Sequence, residues 1–275
     1  MEQMIWAVGV FAGLGLLLGL LLAIASKVFA VKTDERIPRV LECLPGANCG
    51  GCGYAGCEAM AQAMVAGNAP ADGCPVCDAG AKEEIANILG ISTSPTSPQH
   101  AQVLCRGTVQ AAKKKFAYEG IHDCIAAAKL FGGDKQCAYG CLGYGTCVSA
   151  CPFHAIVLQD GVAVVKEQDC RSCGVCVNVC PKHLFELLPA DTAIFVGCRA
   201  KDRGAQTRQN CTVGCIGCKR CEKVCPANAI KVQDNVAVIA QDKCTRCGAC
   251  ADACPQHCIS TPQMRKEAHA AISPQ

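Results

Sequence analysis

Four cysteine runs in the second half of the chain combine a residue type and a spacing that suit metal clusters. Three of them follow the pattern Cys-x2-Cys-x2-Cys-x3-Cys-Pro and begin at Cys170, Cys215 and Cys244. The fourth begins at Cys137 and is stretched, with five residues between its second and third cysteines. Thiolates at these spacings hold [4Fe–4S] clusters, which carry single electrons. The runs therefore predict one-electron transfer chemistry.

The runs pair in the manner of two-cluster ferredoxins, in which the fourth cysteine of each run binds the other cluster. This crossing holds two clusters close together and favours electron transfer between them. The five-residue spacing of the stretched run leaves a different cluster type open at that one site. The predicted ligand sets are Cys137, Cys141, Cys147 and Cys180; Cys170, Cys173, Cys176 and Cys151; Cys215, Cys218, Cys221 and Cys254; and Cys244, Cys247, Cys250 and Cys225.

The cysteine content by itself admits two other interpretations, a disulfide scaffold and structural zinc. The chain has 27 cysteines among 275 residues, a density that is found in disulfide-rich and in metal-binding proteins. Thiols packed this closely along the chain make poor disulfide geometry. Zinc needs only pairs of Cys-x2-Cys motifs, so it leaves the third cysteine and the trailing Cys-Pro unexplained. The spacing therefore favours iron–sulfur clusters.

A separate cysteine module precedes the four runs. It has Cys49, Cys52 and Cys57 in a glycine-rich stretch, followed by Cys74 directly before a proline. Glycine lets the backbone wrap closely around a bound group. These four cysteines are the predicted ligands of a fifth [4Fe–4S] cluster.

An internal repeat relates the two pairs of runs. The segment 155–165 matches the segment 229–239, and the cysteines of the first pair align with those of the second in the same register. Both segments are expected to form β-hairpins with tight turns, Asp-Gly in the first copy and Asp-Asn in the second. The chain therefore contains two complete two-cluster folds in tandem.

The same register shows where the two copies differ. It aligns Cys137 with Cys211, and it aligns Cys218 with Tyr144, which cannot replace a thiolate ligand. The first copy is therefore expected to use Cys137 in place of Cys218. Cys211 then remains as a relic or a spare ligand.

Seven cysteines lie outside the predicted sets, and small buried thiols explain most of them. They are Cys43, Cys77, Cys105, Cys124, Cys198, Cys211 and Cys258. Cys43 and Cys77 are alternates for ligation in the first module. A more specific hypothesis is a sixth cluster-binding site between the two copies of the repeat, based on the repeat pairing of Cys124 with Cys198. Its members would be Cys105, Cys124, Cys198 and Cys211.

The start of the chain predicts a membrane anchor. Residues 4–25 carry no charge, are rich in Leu, Gly and Ala, and are long enough to span a bilayer as one helix. Basic residues follow, so the positive-inside rule places the rest of the chain in the cytoplasm. A cleaved signal peptide is the alternative, but the segment is too long and lacks a positive charge before it. The predicted location is the inner (cytoplasmic) membrane, with a single span and the cluster domains on the cytoplasmic side.

Other classes of function receive little support. The net charge is +3 and aromatic residues make up 4% of the chain, with no basic stripe that would suggest a nucleic acid partner. The sequence has no Walker loop and no Gly-x-Gly-x-x-Gly after a strand, so we expect no nucleotide or flavin site. No catalytic residues of the chain's own are expected.

The predicted fold class is α+β, with an N-terminal transmembrane helix, a small [4Fe–4S] module and tandem two-cluster ferredoxin-like folds. Short helices are expected at residues 58–66 and 81–89, and a Ser/Thr/Pro-rich segment that follows is expected to be flexible. The predicted divisions are an anchor at 1–26, the first module at 32–91, a linker at 92–100, the first ferredoxin domain at 101–190, the second at 191–264 and a tail at 265–275.

The order of these parts resembles the B subunit of Rnf complexes. The resemblance rests on the anchor, on Cys49-x2-Cys52-x4-Cys57-x16-Cys74, and on the tandem ferredoxin folds with the stretched run 137–147. It implies a membrane complex that oxidises reduced ferredoxin, reduces NAD and pumps Na+ or H+. It also implies soluble ferredoxin as the electron donor, and partner subunits that carry the flavins and the NAD site.

One departure from the family and two competing functions qualify this interpretation. Shorter family members have a single ferredoxin fold, whereas this chain has two. A polyferredoxin that feeds a membrane hydrogenase is one alternative. A redox-regulatory reducing system is another, although five clusters in series favour electron throughput.

Overall fold

The computed structural model describes residues 2–28, 34–92, 98–190 and 194–265. An N-terminal helix, α1, covers Glu2–Val28. Among the described residues, no helix reaches the length and apolar character that a membrane crossing requires. The centre of the predicted linker, 93–97, and most of the predicted tail lie outside the described residues.

The first module is a small helical unit. Its helices are α2 (Arg36–Cys43), α3 (Cys57–Val65) and α4 (Ala79–Leu89). The core between them includes Val40, Met60 and Ile85, each at most 2% exposed. The Asp78 side chain caps α4 by accepting a hydrogen bond from the Ala81 N–H, and Gly90 ends the helix in the left-handed region. Both helices predicted in this module are confirmed, with boundaries shifted by up to two residues.

The first ferredoxin domain consists of two antiparallel strand pairs and short helices. Its elements are β1 (Gln99–Val103), α5 (Cys124–Lys129), α6 (Thr146–Ser149), β2 (Ile156–Gln159), β3 (Val162–Val165), α7 (Val175–Val179) and β4 (Phe185–Pro189). Strand β1 pairs with β4, and β2 pairs with β3. Because β1 begins at Gln99, it takes in the last two residues of the predicted linker.

The second ferredoxin domain repeats this plan. Its elements are β5 (Phe195–Val196), α8 (Gly204–Asn210), α9 (Arg220–Val224), β6 (Ile230–Gln233), β7 (Val236–Ile239), α10 (Ala249–Asp252) and β8 (Ile259–Ser260). Strand β5 pairs with β8, and β6 pairs with β7. Each domain thus joins its first strand to its last, which closes the domain around its cysteine loops.

Both predicted hairpins are confirmed. The turn between β2 and β3 has φ of 48° at Asp160 and 74° at Gly161. The turn between β6 and β7 has φ of 47° at Asp234 and 64° at Asn235. Two successive left-handed residues fit the twist of the flanking strands, and Asp, Asn and Gly tolerate that region best.

The two ferredoxin domains align with one residue offset at their starts and with a different offset at their ends. Leu104 donates its N–H to Leu184 O, and Gly197 donates its N–H to Cys258 O, so Leu104 corresponds to Gly197. Cys105 therefore corresponds to Cys198. The sequence expectation that Cys124 corresponds to Cys198 is wrong, because the first domain contains an insertion that a single register does not reveal.

Equivalent hydrogen bonds locate that insertion. The Cys141 N–H donates to Cys105 Sγ across 36 residues, and the Cys215 N–H donates to Cys198 Sγ across 17 residues. The first domain is therefore longer in this segment by the difference between the two separations. The additional residues include α5 and Cys124.

Candidate iron–sulfur sites

One predicted ligand set surrounds a cavity in the second domain. Cys215, Cys218, Cys221 and Cys254 line about 330 Å³ of empty volume. Burial and the neighbouring thiols of Cys215, Cys218 and Cys254 together raise the pKa of Cys221 to about 11. The structure thus brings together all four members of this set, including the fourth cysteine from the other run.

The crossed arrangement recurs in the first domain. Burial and the neighbouring thiols of Cys170, Cys173 and Cys151 together raise the pKa of Cys176 to about 12. These are the other three members of the predicted set. The Ala101 N–H donates to Cys170 Sγ over 3.4 Å, so β1 positions this sulfur.

The remaining set of the second domain is more open. Burial and the neighbouring thiols of Cys244 and Cys225 together raise the pKa of Cys250 to about 11. Cys247 is exposed to solvent. An exposed ligand places this site near the surface of the domain.

Each third cysteine is positioned by a sharp turn into a short helix. The residue before the helix is left-handed in all four loops, with φ of 81° at Gly145, 75° at Gly174, 59° at Lys219 and 83° at Gly248. Such a turn reverses the chain within a few residues, so three thiols of one run can face the same point. Glycine adopts this conformation without strain, and it stands at three of the four positions.

The stretched run differs from the sequence expectation. Burial and the neighbouring thiols of Cys141, Cys124 and Cys180 together raise the pKa of Cys147 to about 12. Cys124, rather than Cys137, therefore accompanies the three other predicted members. The insertion carries Cys124 to the space that Cys218 fills in the second domain.

A hydrogen-bond chain holds Cys124 at this place. The Cys124 N–H donates to Thr146 Oγ1 over 2.7 Å, and the Thr146 hydroxyl donates to Asp123 Oδ2 over 2.6 Å. Helix α5 is thereby fixed to α6, which bears Cys147. Tyr144, at the position of Cys218, packs its ring 5.1 Å from that of Tyr118 in the insertion.

Cys137 lies elsewhere. Burial raises the pKa of the Cys137 thiol, and Cys105 and Cys211 are the thiols that raise it further. None of these three belongs to the set around Cys147. The spacing of the stretched run suggested a ligand because Cys137 is close to Cys141 in sequence. Both thiols have Cys105 as a neighbour, but Cys137 also has Cys211, whereas Cys141 lies beside Cys147.

The first module gathers its cysteines around α3. Cys74 is buried and packs in one core with Cys52 and Cys57. The Cys57 N–H donates to Asn48 Oδ1 over 2.8 Å, which ties the glycine-rich stretch to the start of α3. The alternate Cys77 also lies close, because its thiol donates to Cys74 and lowers the pKa of Cys74 to about 6.

The first module contacts the first ferredoxin domain. A methyl group at Gly51 would overlap the carbonyl oxygen of Cys173. Burial raises the pKa of the Cys173 thiol, and Cys49 is the foremost neighbouring thiol that raises it further. The predicted cluster of the module therefore lies beside that of Cys170, Cys173 and Cys176.

Cys258 is a fifth thiol beside the ligand set of Cys215. Its Sγ lies 3.6 Å from Cys254 Sγ, and the side chain is 1% exposed. It is one of the seven cysteines outside the ligand sets predicted from the sequence. Its equivalent in the first domain is Leu184, which indicates a packing position.

The donor sets suit a cluster better than a single ion. Within the described ranges, no group of three or more His, Cys, Asp or Glu side chains could hold one metal ion. Four thiols that line one cavity instead match the all-cysteine ligation of a [4Fe–4S] core.

Comparison with protein-family models defines the class of protein. A model described as an Fe-S cluster matches residues 44–76. Two models, each described as a 4Fe-4S dicluster domain, match residues 169–230 and 214–258. Together with the fold, these matches define an iron–sulfur protein with 4Fe-4S dicluster domains of the ferredoxin type.

Three curated relatives cover nearly the whole chain. The B subunit of the ion-translocating oxidoreductase complex of Methanosarcina acetivorans is 46% identical, over 92% of this chain and 96% of that protein. The B subunit of the Na(+)-translocating ferredoxin:NAD(+) oxidoreductase complex of Acetobacterium woodii is 46% identical, over 92% and 76%. The B subunit of the proton-translocating ferredoxin:NAD(+) oxidoreductase complex of Clostridium ljungdahlii is 41% identical, over 94% and 93%. The chain belongs to the B-subunit family of these Rnf-type complexes.

Proposed function

We propose that this chain is the electron-transfer subunit of an ion-translocating ferredoxin:NAD+ oxidoreductase complex. It takes electrons from reduced soluble ferredoxin and relays them through [4Fe–4S] clusters toward flavin-bearing subunits. The observation that carries the proposal is the convergence of four thiols from two different runs in each ferredoxin domain, in a member of this family. The relatives' names do not favour the hydrogenase or regulatory alternatives.

We propose five clusters, which the thiol groupings support, and each supplies reversible one-electron chemistry when bound. The protein's own part is to hold the thiolates, to keep water away and to donate N–H groups to sulfur. The proposed sets are Cys49, Cys52, Cys57 and Cys74; Cys124, Cys141, Cys147 and Cys180; Cys151, Cys170, Cys173 and Cys176; Cys215, Cys218, Cys221 and Cys254; and Cys225, Cys244, Cys247 and Cys250.

The chain is proposed to be attached to the cytoplasmic membrane through residues 4–25, with the cluster domains in the cytoplasm. The uncharged sequence and the helical backbone of α1 support this part of the proposal. Deletion of residues 2–26 should move the chain from the membrane fraction to the soluble fraction after alkaline washing. An unchanged membrane fraction would exclude α1 as the anchor.

Rapid mixing of the anaerobically purified holoprotein with reduced ferredoxin tests the electron-transfer role. Visible absorbance should bleach as the clusters are reduced, and low-temperature electron paramagnetic resonance should show interacting [4Fe–4S]+ signals. A holoprotein that carries clusters but accepts no electrons from reduced ferredoxin would contradict the proposed donor.

A further inference from the structure

A second thiol-lined cavity lies between the two ferredoxin domains. Cys105 and Cys137 of the first domain and Cys198 and Cys211 of the second line about 460 Å³ of empty volume. None of these cysteines belongs to the five proposed ligand sets. Four glycines also line the cavity, so little side-chain volume competes for the space: Gly107, Gly140, Gly197 and Gly214.

Two of the four sulfurs accept equivalent pairs of backbone hydrogen bonds. Cys105 Sγ accepts from the N–H of Gly107 and of Cys141, each over 3.4 Å. Cys198 Sγ accepts from the N–H of Ala200 over 3.5 Å and of Cys215 over 3.3 Å. Backbone N–H donors to the cysteine sulfurs are a common feature of protein iron–sulfur sites.

The other two sulfurs lie in equivalent loops. The N–H groups of Tyr139 and Gly140 donate to Cys137 Sγ, and those of Val213 and Gly214 donate to Cys211 Sγ. In each case these hydrogen bonds lower the thiol pKa, which burial raises. The two loops correspond in the internal repeat, which aligns Cys137 with Cys211. All four thiols therefore have two backbone donors each.

The sulfurs of the two domains meet closely. A methyl group at Gly107 would lie 3.5 Å from Cys211 Sγ and 3.7 Å from Cys105 Sγ, so it would touch both. Around this point the Thr212 N–H donates to Ala111 O over 2.9 Å, and the Lys113 N–H donates to Asn210 O over 3.0 Å. These backbone bonds fix the two halves of the cavity against each other.

A buried cation lies beside the cavity. Lys135 is 2% exposed, and its ammonium donates to Gly107 O over 2.8 Å and to Gly161 O over 3.3 Å. A four-thiolate cluster carries net negative charge, and a buried cation offsets such a charge in a low-dielectric interior. Lys135 thus supplies a compensating charge where the thiols of both domains converge.

We propose that Cys105, Cys137, Cys198 and Cys211 bind a sixth [4Fe–4S] cluster between the two ferredoxin domains. The site keeps the position of the sixth site suggested by the sequence, but Cys137 replaces Cys124 in its ligand set. Zinc also accepts four thiolates. Metal analysis of the purified chain therefore separates a zinc ion from a cluster.

The location gives this site a bridging role, which rests on the proposed function. Cys105 Sγ is hydrogen-bonded to Cys141, a proposed ligand of the first domain. Cys198 Sγ is hydrogen-bonded to Cys215, a proposed ligand of the second domain. A one-electron carrier here connects two domains that otherwise share no proposed ligand.

Native mass spectrometry of the anaerobically purified full chain, with iron, sulfide and zinc analysis, tests the proposal. We expect six [4Fe–4S] clusters and about 24 iron atoms per chain. Five clusters would overturn the sixth site and leave the proposed function standing. One zinc with five clusters would also overturn it, and a chain without clusters would refute the proposed function as well.

Variants locate the additional cluster. Cys137→Ala combined with Cys198→Ala should lose one cluster, about four iron atoms, and keep the signals of the other five. Cys43→Ala is the matched control, because its thiol donates to the Arg39 carbonyl within α2, and it should keep all six. Should the double variant be poorly folded, Cys198→Ser alone should keep the fold and alter one cluster's magnetic resonance signal. Full retention of six unaltered clusters in both variants would overturn the proposal.

Discussion

Among single residues, Cys124 and Cys137 exchange the two sites to which the sequence analysis assigned them. Cys124 lies with Cys141, Cys147 and Cys180, whereas Cys137 lies with Cys105 and Cys211. The two thiols nevertheless belong to the same short segment of the first ferredoxin domain. Their substitutions should therefore remove different clusters.

Cys124→Ala should remove the first-domain cluster held by Cys141, Cys147 and Cys180, because three thiolates leave one iron without a protein ligand. We expect a loss of up to about four iron atoms per chain. Cys137→Ala should instead affect only the cluster between the domains. Electron paramagnetic resonance of the two variants decides the assignment, and identical losses would contradict it.

Cys258 provides the converse test, because its thiol lies beside a proposed cluster but is not expected to bind it. Cys258→Ala should keep the iron content unchanged, because the equivalent position in the first domain is Leu184. Cys254→Ala is the matched comparison and should lose about four iron atoms per chain. Iron loss from Cys258→Ala equal to that from Cys254→Ala would show that Cys258 is a ligand.

Spacing predicts most of these thiols but not all of them. Cys170, Cys173 and Cys176 are neighbours in the chain, and a local turn suffices to bring them together. Cys124 reaches its site through an insertion and the hydrogen bond to Thr146, which no spacing rule contains. The site between the domains depends on tertiary contacts. The sequence hypothesis for it rested on pairing Cys124 with Cys198, whereas the structure makes Cys105 the equivalent of Cys198.

At the scale of elements, each hairpin turn is packed against a cysteine loop. A methyl group at Gly217 would lie 2.9 Å from Asn235 O, and φ at Gly217 is +63°. In the first domain, Gly143 approaches the turn residue Gly161 in the same way. The hairpin thus supports the loop that carries Cys215 and Cys218.

Gly217→Ala should destabilise the second domain through both a strained backbone and a steric overlap. Gly248→Ala is the matched control, because φ is +83° but no atom lies within 4 Å of the added methyl group. The control should lose about 1–2 kcal/mol from the backbone alone. Denaturant titration of the cluster absorbance measures both variants, and an equal loss in the two would contradict the packing argument.

Elements were predicted well where the pattern is local. The hairpins have alternating apolar residues and turn residues that accept a left-handed backbone, so a short window specifies them. Strands β1 and β5 were not predicted, because each gains its hydrogen bonds from a partner strand at the far end of its own domain. Their pairing also revealed the insertion.

At the scale of the whole molecule, the first module and the first ferredoxin domain meet at Gly51 and Cys173. This contact gives the module a defined docking position. It also refines the prediction of a flexible linker, since motion of the module would require this contact to open.

Gly51→Val should weaken that docking, because its side chain would overlap the carbonyl of Cys173. We expect unchanged iron content and slower electron passage from the module to the ferredoxin domains, measured by rapid-freeze magnetic resonance after mixing with reduced ferredoxin. Gly80→Ala in α4 is the control, since its methyl group would lie 3.6 Å from Asp78 Oδ1, an ordinary contact. Equal electron-transfer rates in both variants would show that electrons do not pass through this contact.

The central claim is that this chain connects reduced ferredoxin to NAD+ within a membrane complex. The most direct measurement is NAD+ reduction by reduced ferredoxin in anaerobic membranes from cells with and without the gene for this chain. We expect NAD+ reduction by reduced ferredoxin to be lost on deletion of the gene and to return when the full-length chain is supplied. Undiminished activity in the deletion membranes would contradict it.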